Sequence, residues 1–353
     1  MASDGGHVGE DPHAENDDDS GRELRAHAKL VAEEDDDGSD DDTQSRLQRH
    51  LLDPRIHYHR HDAAGVAAAR NHGLMLAQGQ LIAYLDDRGA ISDAGQRVLI
   101  EFVTAAAQLA EVHGAEDLMA FATSAIREAS NGSEVLGRVH AETGIRLIEL
   151  SGTDEAAATY LAVRRWYGWG AGRILSLDIG GGSFEMAMGA DELPELAVSL
   201  PLGAGRLTRD FLDADPPSAK SIKAVRKHIR AVLEGPITDI GRLTAPTLVV
   251  ATSKSFRSLA RVAGSAPRAE GPFVRRELRV NELALWTSRL SAMASADRAE
   301  LPGVSVLRSR QLLAAALVAQ AAMEGLHIES VQICPWALRE GLILRRFDHL
   351  MTA

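Results

Sequence analysis

The sequence predicts an α/β protein, and three observations carry that expectation. Short apolar runs of strand length alternate along the chain with stretches whose apolar residues recur at helical spacing. The 353 residues, 45% of them hydrophobic, are enough for two domains of ordinary size and a substantial core. The third observation is the block Asp178-Ile179-Gly180-Gly181-Gly182-Ser183-Phe184-Glu185, where an apolar run enters a glycine turn and period-two alternation leaves it. These glycines join strand to strand. A Walker loop or dinucleotide fingerprint needs them between a strand and a helix.

Taken in order, residues 1–54 predict an acidic, disordered tail. The net charge of −12 is concentrated there: residues 1–50 hold 16 Asp and Glu against 5 Lys and Arg, and the other 303 hold 34 against 33. The body is close to neutral, so no nucleic-acid partner is expected. Residues 55–88 form a segment of different character. His57, His59 and His61 would share a face of a strand, where three imidazoles could bind a transition metal, but no Asp or Glu of obvious role stands nearby. Gly65 to Leu74 reads as a helix, and Gln80 to Leu85 as a strand ending at Asp86-Asp87.

From Gly89 onward the pattern alternates. Val98 to Ala110 predicts an amphipathic helix ending near His113-Gly114, Leu118 to Thr123 a buried strand, and Ser133 to Glu142 a helix with Ser133 as N-cap. Ile145 to Leu150 reads as a strand and Asp154 to Trp166 as a helix. Beyond the glycine hairpin, helices are expected near Arg206–Leu212, Ser218–Leu233, Ser255–Val262, Asn281–Met293, Arg308–Met323 and Leu338–Arg346. Strands are expected at Leu248–Ala251 and Ser330–Ile333. No stretch approaches a membrane span, the start lacks a secretory signal, and the single Cys334 excludes an intramolecular disulfide framework. A cytoplasmic protein without a membrane partner is expected.

In the hairpin, missing side chains let backbone N–H groups close on an anion. Asp178, Ser183 and Glu185 then suit phosphate together with a hard divalent cation. From spacing alone, a glycine-rich hairpin with a polar outer face is an equal alternative.

Two resemblances follow. The Gly65–Leu74 helix, the turn after it and the strand ending in Asp86-Asp87 resemble a fragment of the family-2 glycosyltransferases, with Arg88 where that family would usually place another Asp. Residues 89 to 348 resemble the exopolyphosphatase / guanosine-pentaphosphate phosphatase family (Ppx/GppA). The blocks that carry this likeness are Ala122 to Asn131, Leu150-Ser151-Gly152-Thr153-Asp154-Glu155-Ala156, the Asp178–Glu185 hairpin, Ser199 to Leu207 and Leu338-Arg339-Glu340-Gly341. The wording around Ala162–Trp169 and Cys334–Ala337 is similar to actinobacterial members.

The second resemblance implies the superfold of actin, hexokinase and heat-shock chaperone ATPases. Residues 89–172 would be a truncated first lobe and residues 173–353 the second. It implies hydrolysis of terminal phosphate from polyphosphate, or of a guanosine penta/tetraphosphate, with Mg²⁺. Glu155 would be the general base, Asp178 and Glu185 the metal carboxylates, and Ser124, Arg127, Gly180, Gly181, Gly182 and Ser183 the phosphate contacts. Relatives often dimerise, so a homodimer is a further expectation. The family's opening Asp-x-Gly-Ser-Asn turn has no counterpart here. A catalytically impaired polyphosphate or nucleotide binder is therefore the alternative. Thr252-Ser253-Lys254-Ser255 also departs, standing where many relatives carry glycine.

Overall fold

The computed structural model describes residues 32–36, 56–60, 90–115 and 117–352. In chain order the first elements are β1 (Ala32–Asp36), β2 (Ile56–Arg60), α1 (Asp93–Val112), β3 (Phe121–Ala122), α2 (Ser124–Arg127), α3 (Gly132–Thr143), β4 (Ile148–Glu149) and α4 (Gly152–Tyr167). Next come β5 (Ile174–Ile179), β6 (Phe184–Gly189), β7 (Leu196–Leu200), α5 (Ala204–Phe211), α6 (Ala219–Gly241), β8 (Leu248–Ala251) and α7 (Ser253–Val262). The last are β9 (Glu277–Arg279), α8 (Val280–Ala292), α9 (Ser295–Ala299), α10 (Val306–Gly325), β10 (Ser330–Ile333) and α11 (Leu338–Thr352).

The chain divides into two compact units, one of residues up to 120 plus 129–147, the other of 121–128 plus 148–353. In the first, β1 pairs in parallel with β2, Glu33 opposite His57 and Asp36 opposite Arg60. Five residues of the segment expected to be disordered are thus a strand. Its partner strand lies some twenty residues on, a pairing that local hydrophobic patterning does not reveal. His57 and His59 are alternate residues of β2, whereas His61, the 65–74 helix and the 80–85 strand lie outside the described residues.

Helices α1 and α3 close the rest of this unit around Ile91, Leu99, Val103, Val135 and Val139. Ser92 caps α1, its Oγ accepting from the Gly95 N–H at 3.2 Å. The N-cap of α3 is Asn131, not Ser133. The Asn131 side chain leaves the helix end and brackets Ile91 instead, accepting from its N–H at 2.8 Å and donating to its carbonyl at 3.0 Å.

The second unit is built on a six-stranded sheet in the order β7-β6-β5-β8-β10-β9. β5, β8 and β10 run parallel, while β6, β7 and β9 are antiparallel to their neighbours. β5 is apolar because both faces are covered. Leu175, Leu177, Ile179, Phe184, Met186 and Met188 point into the larger core, which includes α10. Ile174 and Ala187 point the other way, against Ala156, Tyr160 and Val163 of α4. Side chains alternate along a strand, so Asp178 and Glu185 fall on the α4 face. That placement organises the site.

Several elements differ in extent from expectation. β3 and β4 keep only two residues each. α6 continues past Leu233 and through Pro236 to Gly241, although a proline removes one helical N–H. The sequence showed no alternation strong enough to mark β7, whose residues are all half-buried, or the three-residue β9. Among the described residues no helix is long and apolar enough to cross a membrane.

α11 lies on α4 at its glycine. A Cβ on Gly341 would fall on the Ala158 carbonyl, with the carbonyl carbon 2.6 Å away. Glu340 Oε2 accepts from the Ala337 N–H at 2.8 Å and fixes the start of the helix. Gly341→Ala is expected to destabilise the protein by about 1–3 kcal/mol by pushing α11 off α4, read as a lowered Tm. An unchanged Tm would show that the helices separate without cost.

Candidate active site

The turn at Gly180–Ser183 is held from behind. Its carbonyls at Gly180, Gly181 and Gly182 accept from the N–H groups of Ala204 (3.0 Å), Arg206 (3.0 Å) and Gly203 (3.3 Å), at the start of α5. A trans peptide directs its N–H opposite to its C=O. Fixing three carbonyls toward α5 therefore aims the N–H groups of Gly181, Gly182 and Ser183 away from it, and no acceptor among the described residues takes them. The result is a nest of donors suited to an anion. Gly203 must lack a side chain, because its Cβ would collide with the Gly181 and Gly182 backbone. Gly182 is constrained similarly, with Ser124 Oγ 2.6 Å from where a Cβ would stand.

Ser124, Arg127 and Glu155 gather beside the turn. Ser151 caps α4 by accepting from the Asp154 N–H at 3.1 Å, which places Glu155 in the first turn of the helix. Arg127 Nη1 donates to Glu155 Oε1 at 2.6 Å and to the Leu150 carbonyl at 2.5 Å. Burial raises the Glu155 pKa, and the Arg127 ion pair and a Ser124 backbone hydrogen bond oppose that rise. Burial wins. Gly152 leaves room for Ser199, whose Oγ lies 2.6 Å from the position a Cβ would take.

Asp178 and Glu185 are direct cross-strand neighbours of β5 and β6. Asp178 Oδ2 accepts from Thr252 Oγ1 at 2.5 Å, and Glu185 Oε1 accepts from Ser199 Oγ at 2.8 Å. Burial raises both pKa values. That of Glu185 reaches about 8, with the neighbouring Asp178 charge as the next cause. Two buried like charges side by side call for a cation or a proton. Among the described residues no group of three or more His, Cys, Asp or Glu forms a metal cage. Two carboxylates fit a small hard cation that keeps waters and takes phosphate oxygens, the usual pattern for Mg²⁺.

A cavity of about 330 Å³ opens beside the turn, lined by Arg127, Glu128, Gly152, Thr153, Ser183, Ser199, Leu200 and Pro201. No aromatic residue lines it. The structure thus places every expected site residue in one unit and gathers them around the N-terminal end of α4 and the glycine turn.

Three contributors escaped the sequence reading. Ser199 stands on β7, a strand without a clear pattern. Thr252 directly follows β8 and reaches Asp178 of β5; its signal is the rule that ligands gather at the carboxyl ends of parallel strands. Arg206 donates from Nε to the Gly182 carbonyl at 2.9 Å. At the departure noted in 252–255, Ser253 adopts φ 71°, a conformation that favours glycine.

A family model described as the Ppx/GppA phosphatase family matches residues 77–350. The chain belongs to the Ppx/GppA phosphatase family. Exopolyphosphatase 1 of Mycobacterium tuberculosis is 53% identical over 263 residues, 74% of this chain and 76% of that protein. A guanosine-5'-triphosphate,3'-diphosphate pyrophosphatase of Aeromonas salmonicida is 29% identical over 232 residues, 65% of this chain and 45% of that one. A solved exopolyphosphatase of Cytophaga hutchinsonii shares the fold with a TM-score of 0.67 at 20% identity, over 74% of this chain and 85% of that one. The fold is that of the solved Ppx/GppA proteins, and its α/β class is the one the sequence predicts. A second model, glycosyl transferase family 2, matches residues 36–105, overlapping the Ppx/GppA match from 77 onward.

The carboxylate side of β5 also faces cations. Lys254 is held at a pKa of about 8 by burial and by Arg308, Arg257, Arg339 and Arg268. A lysine lowered in the folded state destabilises it fully below pH 8, and the penalty vanishes as pH rises past the ordinary lysine value. Lys254→Met should therefore raise Tm by a few degrees at pH 7 and lose that advantage by about pH 10.5. A constant Tm difference across that window would contradict the burial of its charge.

Proposed function

We propose that this chain hydrolyses the terminal phosphoanhydride of inorganic polyphosphate. The observation that carries the reading is the nest of N–H groups from Gly181, Gly182 and Ser183, open on the side where Arg127 and Glu155 stand. A terminal phosphoryl group carries charge on its outer oxygens, and preorganised donors stabilise it further as that charge grows in the transition state.

Glu155, raised in pKa by burial, takes the proton of the attacking water. The water oxygen bonds to the terminal phosphorus while the bridging P–O bond breaks, and its electron pair leaves with the shortened chain. Arg127 holds Glu155 in place and presents a second guanidinium edge to phosphoryl oxygens. Asp178 and Glu185 would hold Mg²⁺, which when bound supplies positive charge to the phosphoryl oxygens. Thr252 and Ser199 orient these carboxylates through their hydroxyls.

The cavity supports a linear chain over a guanosine nucleotide. At about 330 Å³ it is at the small end of ligand sites, and no aromatic face in its lining offers a guanine base a platform. The relatives' names point the same way. The more identical one is an exopolyphosphatase; the guanosine-nucleotide enzyme is matched over less than half its length.

The alternative, binding without turnover, draws on the Arg127–Glu155 ion pair, which occupies both the base and a phosphate contact. Phosphate release from long-chain polyphosphate separates the two readings. Glu155→Gln should lower kcat by about 10²–10⁴-fold with little change in KM. Tight polyphosphate binding with no release by the parent would favour the alternative. The raised Glu155 pKa also sets the pH profile. Activity should climb with pH along a limb above the ordinary carboxylate range, and that limb should be missing from the residual activity of Glu155→Gln.

A further inference from the structure

We propose that Arg206 is a positioning residue for the anion nest and that Glu128 holds it in its working pose. The proposal rests on the reading of the Gly180–Ser183 turn as the phosphate site. Arg206 meets that turn twice. Its backbone N–H donates to the Gly181 carbonyl at 3.0 Å, and its Nε donates to the Gly182 carbonyl at 2.9 Å. The only backbone donor to the Gly182 carbonyl among the described residues, the Gly203 N–H, is farther off at 3.3 Å. The peptide between Gly182 and Ser183 is therefore fixed mainly by a side chain. That peptide carries the Ser183 N–H of the nest.

The guanidinium fork explains how one residue does this. Its Nε addresses the carbonyl while an Nη group pairs with the Glu128 carboxylate, at the C-terminal end of α2. Glu128 and Ser183 both line the cavity, so the bridge from α2 to the turn borders it. The Arg206 side chain is 24% exposed, so the contact is partly shielded from water. A cation on the carbonyl end of a peptide also polarises it and makes the N–H at the other end a better donor. Without Arg206 the 182–183 carbonyl keeps only the longer Gly203 hydrogen bond, so a rotation that brings a carbonyl oxygen in place of an N–H to the cavity side costs less. Phosphate would then meet a lone pair where it needs a donor.

This predicts a loss of substrate binding larger than the loss in chemistry. Steady-state hydrolysis of long-chain polyphosphate, tripolyphosphate binding and Tm should be measured on the full chain for the parent, Arg206→Gln, Arg206→Lys, Glu128→Gln and the Arg206→Gln/Glu128→Gln pair. Arg206→Gln should raise KM about tenfold with kcat within about threefold and Tm within a few degrees. Arg206→Lys, with one compact donor group, should fall between it and the parent. Glu128→Gln should raise KM less, and the double variant should match Arg206→Gln alone because both act through one contact. A parental KM in Arg206→Gln, or additive effects in the double variant, overturns the proposal. If Arg206→Gln does not fold, parental KM values in both Arg206→Lys and Glu128→Gln overturn it. A parent that neither binds nor hydrolyses polyphosphate overturns the reading of the turn and this proposal with it, an outcome distinct from an active parent with an indifferent Arg206.

Discussion

The site depends on one constraint: the first turn of a short helix takes the carbonyls of a glycine turn and so decides where the turn's N–H groups point. Peptide planarity does the rest. Ala204, Arg206 and Gly203 each donate to one of three consecutive carbonyls, and Gly203 can approach that closely only without a Cβ. The same contact serves the helix, whose N-terminal N–H groups find backbone acceptors where it has no side-chain cap. What the arrangement gains is a rigid set of outward donors that need no reorganisation when a phosphoryl group arrives.

Strand alternation supplies the second half of the geometry. The residues that build the larger core, Leu177, Ile179, Phe184 and Met186, fix by parity that Asp178 and Glu185 face α4. Ser151 then caps α4 where Glu155 is brought to the same side of the turn. Three buried carboxylates near one another are costly, and each has its pKa raised mainly by burial. Arg127, Thr252 and Ser199 reduce that cost without removing it. A site with unneutralised negative charge next to unused N–H donors is complementary to a cation and an anion together, which is what a phosphoanhydride with its divalent cation offers.

Much of this was legible from residue order. The hairpin was marked by apolar residues on both sides of three glycines and stands where expected, while α4 starts at Gly152, two residues before the expected Asp154. The parts that were not legible have physical reasons. Ser199 lies on an edge strand that is half-buried throughout, so its sequence shows no alternation. Asn131 rather than Ser133 starts α3 because its side chain binds Ile91, forty residues earlier, a contact no local rule reports. The helix expected to end at Leu233 continues through Pro236 to Gly241, and β1 arises in an acidic run whose partner strand is remote in sequence. Arg206 looked like an ordinary helix residue until its Nε was seen at the Gly182 carbonyl.

The direct measurement is backbone amide hydrogen exchange at Gly181, Gly182 and Ser183, with and without saturating tripolyphosphate. The account predicts fast exchange in the free protein, despite protected neighbours in β5 and β6, and slowing of at least about tenfold at all three amides when the anion is bound. Amides already protected in the free protein, or exchange unchanged at saturation, would mean that these N–H groups point elsewhere and that the turn does not hold the anion.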